Sequence, residues 1–350
     1  MDRRAAAQCP CRGLPVSVRP RVVVTPGDYL GIGPELAIRL WLEFGDAADF
    51  ELSLVGPPEL WKRAAELVGG APDELPIVPV DPDADPDWGH LPGIGEIATA
   101  VRGCLDGRFD ALCTGPLHKA DLIAEGFPYM GHTPYLAALC GAPQEQAVMV
   151  FSGGRLTVSL ATLHVPLAEV PGAWTEESIA RAARGAAEVV RKARGIQRPR
   201  IALAGLNPHA GEGGRLGAED QSVVAAALQL LAVEELSASG PYPGDTVFAR
   251  ALAGHFDAVV AAYHDQGLVA VKTLDAGRSV NITAGLPLLR TSVDHGTARD
   301  IAWQGRARPE GMFSAARMAA QLARSSMTGR QRSRSLERGA LSDRGAGLAS

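Results

Sequence analysis

Residues 22–42, VVVTPGDYLGIGPELAIRLWL, set the pattern for the chain. Val22, Val23 and Val24 form a β-branched run that stops at Thr25-Pro26-Gly27. After the turn, Pro34 stands where a first helical residue belongs, with Glu35 behind it. Leu36, Ile38, Leu40, Trp41 and Leu42 then continue as helix. The unit is strand, glycine turn, helix, and it recurs. Residues 52–55, 111–114, 156–163, 200–206 and 258–262 read as strands, and residues 58–68, 96–105 and 219–236 as helices. Thr175 caps a further helix, with Glu176 and Glu177 in its first turn and Arg191, Lys192 and Arg194 near its end. Such alternation predicts an α/β protein with a largely parallel sheet.

The bulk numbers narrow the class. A chain of 350 residues suits two domains. A net charge of −5 leaves phosphate recognition to local features. Aromatic content of 5% argues against a base-stacking platform, so no nucleic-acid partner is expected. Cys9, Cys11, Cys104, Cys113 and Cys140 are odd in number and scattered, which fits a reducing compartment. No apolar run approaches the roughly 18 residues of a membrane span, and residues 1–20 hold no apolar signal core. No membrane association and a cytoplasmic location are therefore expected. Residues 1–20 read as a disordered leader, and 325–350, rich in Ser, Arg and Gly, as a disordered tail.

Chemistry concentrates between Tyr263 and Thr297, where His264-Asp265, Lys272, Asn281, Arg290 and Asp294-His295 sit among glycine turns and short apolar runs. A buried charge or imidazole is costly unless partnered, so this mixture points to one wall of an anion-handling site. Lys272, Asn281 and Arg290 are nine residues apart with β-like runs between them, which puts them on successive short elements. Gly131-His132-Thr133 adds an imidazole and a hydroxyl. His164, His209 and His264 each follow an apolar strand. In open α/β sheets function lies beyond the carboxyl ends of strands. Three imidazoles there either converge on a divalent metal or are separate turn residues; their spacing does not choose between the two. Asp245 and Asp265 are acidic neighbours with either a metal-site role or a capping one. Gly93-Ile-Gly95-Glu-Ile-Ala98 matches a dinucleotide fingerprint, but loop rather than strand precedes it, so it reads as a helix entry.

Seven stretches occur in order: TPGDYLGIGPE, TGPLHKADLIAEGFPYMGHT, LATLHVPL, GLNPHAGEGGRLGAED, GPYPGDTVF, YHDQGLVAVK and NITAGLPLLRTSVDHGTA. Together, over about residues 21–323, they resemble the 4-hydroxythreonine-4-phosphate dehydrogenases of pyridoxal phosphate biosynthesis. The resemblance implies two α/β domains with a cleft between them, like isocitrate and isopropylmalate dehydrogenases. Residues 21–130 plus 285–324 would form the first domain, and 131–284 the second, carrying the metal site. It implies a homodimer with active sites at the subunit interface, NAD bound without a Rossmann loop, and a divalent metal (Zn, Co or Mg). The metal ligands fall on His164, His209 and His264, and the substrate contacts on His132, Thr133, Lys272, Asn281 and Arg290. Asp245, Asp265 and Lys272 are the candidates for proton transfer, and Gly285, Leu286, Asp294 and His295 for NAD contact. The implied reaction oxidises the C3 hydroxyl of 4-phosphooxy-L-threonine and decarboxylates the product to 3-amino-2-oxopropyl phosphate. Asp28-Tyr29-Leu30, Pro134 and Ala284 depart from the family pattern. They leave room for a related dehydrogenase of phosphorylated threonate or erythronate. A three-His zinc hydrolase is the rival from another class.

Overall fold

The computed structural model describes residues 19–45, 49–275 and 277–327. Cys9, Cys11 and most of the expected leader and tail lie outside these residues. The chain begins with β1 (Arg21–Thr25), α1 (Gly33–Phe44), β2 (Glu51–Val55), α2 (Pro58–Val68), β3 (Ile77–Val78), α3 (Ile94–Leu105) and β4 (Ala111–Thr114). Two short helices, α4 (Lys119–Ala124) and α5 (His132–Leu139), lead to β5 (Val148–Ser152) and β6 (Thr157–Leu160). Next come α6 (Val170–Ala173), α7 (Glu176–Arg194), β7 (Ile201–Ala204), α8 (Glu219–Val233), β8 (Ala238–Tyr242), α9 (Gly244–Leu252), β9 (Ala258–Ala261) and α10 (His264–Asp275). The strands β10 (Val280–Ala284) and β11 (Arg290–Ser292) precede a last helix, α11, over 310–327. That helix includes residues 325–327, so it runs past the expected start of the tail.

The strands form one sheet in the order β3-β2-β1-β4-β11-β10-β5-β6-β9-β7-β8. Strands from 21–130, with β11, occupy one end, and β5 to β10 the other. Pairing is parallel towards both ends and antiparallel in the middle, at β11–β10, β10–β5 and β5–β6. The period of two in a strand sorts side chains between layers. Val22 and Val24 belong to the core layer that also holds residues of α1, α2, α7, α8 and α11, whereas Val23 belongs to the layer with α3 and α5 on the other face.

Local chemistry accounts for the helices. Thr175 Oγ1 accepts from the Ser178 N–H at 3.2 Å, and Gly195 closes α7 at φ 70°. The stripe Ile179, Ala182, Ala183, Ala186, Val189 and Val190 is buried. Pro34 starts α1 as expected, but Glu35 does more than complement the helix dipole. It is buried and accepts from the Gly305 and Ala307 N–H groups at 3.2 and 3.0 Å, tying α1 to the last loop. The Gly93-Ile94-Gly95 stretch is a helix entry: Ile94 begins α3, loop precedes it, and the Glu96 carboxylate accepts from the Gly93 N–H at 2.8 Å. One expectation needs correcting. The run around Lys272 is not β-like; it lies within α10. Leu268 and Val271, three apart, are buried while Val269 is 67% exposed, which is a helical period.

Candidate active site

His164, His209 and His264 follow β6, β7 and β9. In the sheet these strands are neighbours in the order β6-β9-β7, and all run parallel. Adjacent strands lie about 4.8 Å apart, so the topology delivers three histidines to one edge of the sheet. A cavity of about 840 Å³ opens there, with walls from both ends of the sheet.

His164 and His264 line this cavity with ring centroids 5.3 Å apart. His264 Nδ1 is 2.7 Å from Asp265 Oδ1, which orients the ring. Burial, with Lys119 and His264 nearby, holds His164 below the usual histidine range and so favours the neutral imidazole that a metal requires. His209 is not on the cavity wall. It sits in the turn Pro208–Gly214, where six consecutive residues, 209–214, have positive φ, three of them non-glycine: His209 (53°), Ala210 (52°) and Glu212 (46°). Its side chain is 64% exposed, with Nδ1 2.8 Å from Glu212 Oε2. The turn is anchored by buried Asp220, which accepts from the Leu206 and Asn207 N–H groups at 2.6 and 3.1 Å. Among the described residues no three His, Cys, Asp or Glu side chains gather closely enough to hold a metal. The pair His164 and His264 supplies two imidazoles of the right chemistry, and a metal held there would need a further ligand from outside the pair.

The opposite side of the cavity is built around Arg290, whose side chain is 1% exposed. Its Nη2 and Nε donate to Thr114 Oγ1 at 2.7 and 3.1 Å, and Nη1 donates to Thr283 Oγ1 at 3.2 Å. Among the described residues no carboxylate pairs with it, and desolvation pushes its pKa down to about 10. It stays charged at neutral pH, a buried cation answered only by hydroxyls. His132, at the start of α5, faces the same space with Nε2 buried and unpartnered. Burial, then the positive charges of Arg290 and Lys119, hold His132 well below the ordinary histidine value. Asn281 Oδ1 is likewise buried without a partner. Such unmet polar groups in an acid-poor cavity mark a place for an anion with its own donors and acceptors.

The other expected residues divide between the cavity wall and elsewhere. Thr133, Lys272, Asp294 and His295 line it, with Lys272 Nζ 3.2 Å from Asp294 Oδ1. Asp265 is 82% exposed, and Asp245 is exposed at the start of α9, off the cavity wall. Leu286 is in the core with α3 and α5, and Gly285, at φ 81°, turns the chain against Gln146. Neither lines the cavity. Four functional groups escaped the sequence reading. Thr114 and Thr283 hold Arg290, while Lys119 and Arg181 line the cavity. A cation three residues after Pro116 of the Gly115-Pro116 turn was the one available signal for Lys119.

Comparison with known proteins agrees with this architecture. The family model described as pyridoxal phosphate biosynthetic protein PdxA matches residues 92–319. A 4-hydroxythreonine-4-phosphate dehydrogenase of Thioalkalivibrio sulfidiphilus is 40% identical over 332 residues, covering 89% of this chain and 99% of its own. Solved structures of 4-hydroxythreonine-4-phosphate dehydrogenases are close in fold. The one from Klebsiella pneumoniae has TM-score 0.74 and 34% identity, covering 87% of this chain and 98% of its own. The one from Burkholderia phymatum has TM-score 0.72 and 35% identity, covering 87% and 99%. With the family model spanning well over half of its length and relatives this similar along nearly all of theirs, the chain belongs to the PdxA family of pyridoxal phosphate biosynthetic proteins.

Proposed function

We propose that this chain is a metal-dependent NAD dehydrogenase. It oxidises the C3 hydroxyl of 4-phosphooxy-L-threonine, and the β-keto acid formed loses CO2 to give 3-amino-2-oxopropyl phosphate for pyridoxal 5'-phosphate synthesis. One observation carries the reading: Arg290, a buried cation without a carboxylate, shares a cleft with two adjacent imidazoles. The relatives' names supply the substrate.

The substrate phosphate takes the Arg290 side, where Arg290, His132, Thr133 and Lys272 offer donors. Asn281 Oδ1 is an acceptor, so it suits the substrate ammonium or hydroxyl instead. His164 and His264, joined by His209, would hold the divalent cation (Zn, Co or Mg). When bound, that cation lowers the pKa of the C3 hydroxyl and stabilises the oxygen of the ketone. Of the four residues expected to touch NAD, Asp294 and His295 lie on the cavity wall. Lys272, the one of the three proton-transfer candidates on that wall, would relay the hydroxyl proton to Asp294, a role its 3.2 Å pairing with Asp294 Oδ1 supports.

The exposed, preset turn carrying His209 suits delivery across a homodimer interface. Mixing His164→Ala with His209→Ala subunits tests this. With His209 delivered to the partner's site, one intact site forms in each mixed dimer, and activity returns to about a quarter of wild type. With all ligands from one chain, mixing restores nothing.

NADH formation with Zn, NAD and 4-phosphooxy-L-threonine is the direct test of the reaction. Pro134, a departure from the family pattern, lies on the cavity wall. Faster turnover of 4-phosphorylated threonate or erythronate would move the substrate to that class. Absence of NAD binding by calorimetry would leave the hydrolase reading.

A further inference from the structure

We propose that Lys119 is a second anion-binding residue of the cleft and holds the substrate carboxylate, across from the phosphate at Arg290. The inference rests on the reading of the cleft as a site for a phosphorylated hydroxy acid. Lys119 opens α4 and lines the cavity. Its stem lies over Gly131, the residue before His132. A Cβ on Gly131 would fall 3.0 Å from Lys119 Cε and 3.7 Å from Nζ, and Gly131 has φ 132°. Glycine suits this position for its backbone, and it also lets the Lys119 stem lie close against it.

Lys119 lines the same cavity as His132 on the phosphate side and His164 and His264 on the other. Lys272 is answered by Asp294 at 3.2 Å, but among the described residues no carboxylate lies within ion-pair reach of Lys119. The start of α4 is braced. His118 Nδ1 is 2.9 Å from Asp121 Oδ1, and Arg299 bridges Asp121 and Asp28 at 2.6 Å each. The ammonium thus projects from a fixed base.

The substrate carries one anionic group at each end. The group around Arg290 offers several donors to the three oxygens of a phosphate, which leaves Lys119 as a point charge for the remaining carboxylate. The carboxylate must also depart as CO2. Lys119 is exposed, whereas Arg290 is buried. The group that leaves is therefore held at the open side of the cleft, and the group that stays is held at its floor.

The test is Lys119→Met with Lys119→Arg as the conservative control, both in the metal-loaded full-length protein. For 4-phosphooxy-L-threonine, Lys119→Met should raise KM about thirtyfold and Lys119→Arg should recover most of it. Affinity for inorganic phosphate by calorimetry should change less than about twofold, as should inhibition by 3-amino-2-hydroxypropyl phosphate, which lacks the carboxylate. Arg290→Met should abolish both. A KM unchanged by Lys119→Met overturns the proposal, and so does a loss of phosphate affinity as large as that of Arg290→Met. Phosphate binding that survives Arg290→Met would instead sink the phosphate reading of the cleft, and the KM of Lys119→Met would then judge Lys119 by itself.

Discussion

Arg290 and His209 stand at opposite extremes among the residues expected to act together. Arg290 projects from a central strand, is 1% exposed, and is held by two threonine hydroxyls from neighbouring strands. His209 projects from a run of left-handed residues, is 64% exposed on its side chain, and has its Nδ1 2.8 Å from Glu212 Oε2. The first is buried with no carboxylate paired to it among the described residues. The second has its backbone set at some cost and lies off the cavity wall. A buried lone cation costs stability through desolvation, and left-handed non-glycine residues cost about 1–2 kcal/mol each. Both costs sit where chemistry is expected, as strain at functional sites commonly does.

The contrast is sharpest at Arg290. Arg290→Met should raise KM for the phosphorylated substrate roughly a hundredfold to a thousandfold. Because it removes an uncompensated charge and keeps the volume, the melting temperature of the ligand-free protein should not fall. Destabilisation on that substitution would show that the threonine hydroxyls already satisfy the guanidinium.

A smaller effect belongs to His132. Its folded-state pKa is depressed below the ordinary 6.5, so the unfolded chain binds the proton more readily. Its contribution is therefore fully present above pH 6.5 and lost as pH falls from 6.5 towards the folded value. The slope approaches about 1.4 kcal/mol per pH unit. His164 adds in the same direction. Urea denaturation between pH 7 and 5 should show the loss, and His132→Gln should flatten it. An identical slope in that variant would remove His132 from the account.

The smallest effect is at the turn. Glu212→Gly should stabilise the protein by about 0.5–1 kcal/mol, since glycine accepts φ 46° and the side chain is half exposed. A net loss would mean that the Glu212 contact with His209 outweighs the strain.

Much of this was legible in the residues. The strand–turn–helix units placed three histidines at strand ends, and the sheet set those strands side by side. The apolar stripe of α7 needed only its period. The partners of Arg290 were not legible, because Thr114 is 176 residues away and its nearness depends on β4 pairing with β11. Nor was the left-handed turn at His209, where histidine, alanine and glutamate give no local warning of positive φ. The run around Lys272 misled because β-branched apolar residues suit strand and buried helix alike. Lys119 was hidden because one lysine on a short helix looks like solvated surface until the cavity beside it is known.

The position of β11 has a consequence for how the molecule is made. β4 pairs with β1 early in the chain, yet its other edge is filled by Arg290, Thr291 and Ser292. During synthesis the amino-terminal strands must wait with that edge bare while the whole second group of strands is produced. The strand that ends the wait is the one carrying Arg290. Closing the sheet and installing the buried cation are one event, so a nascent chain cannot set Arg290 between Thr114 and Thr283 before its central seam is sealed.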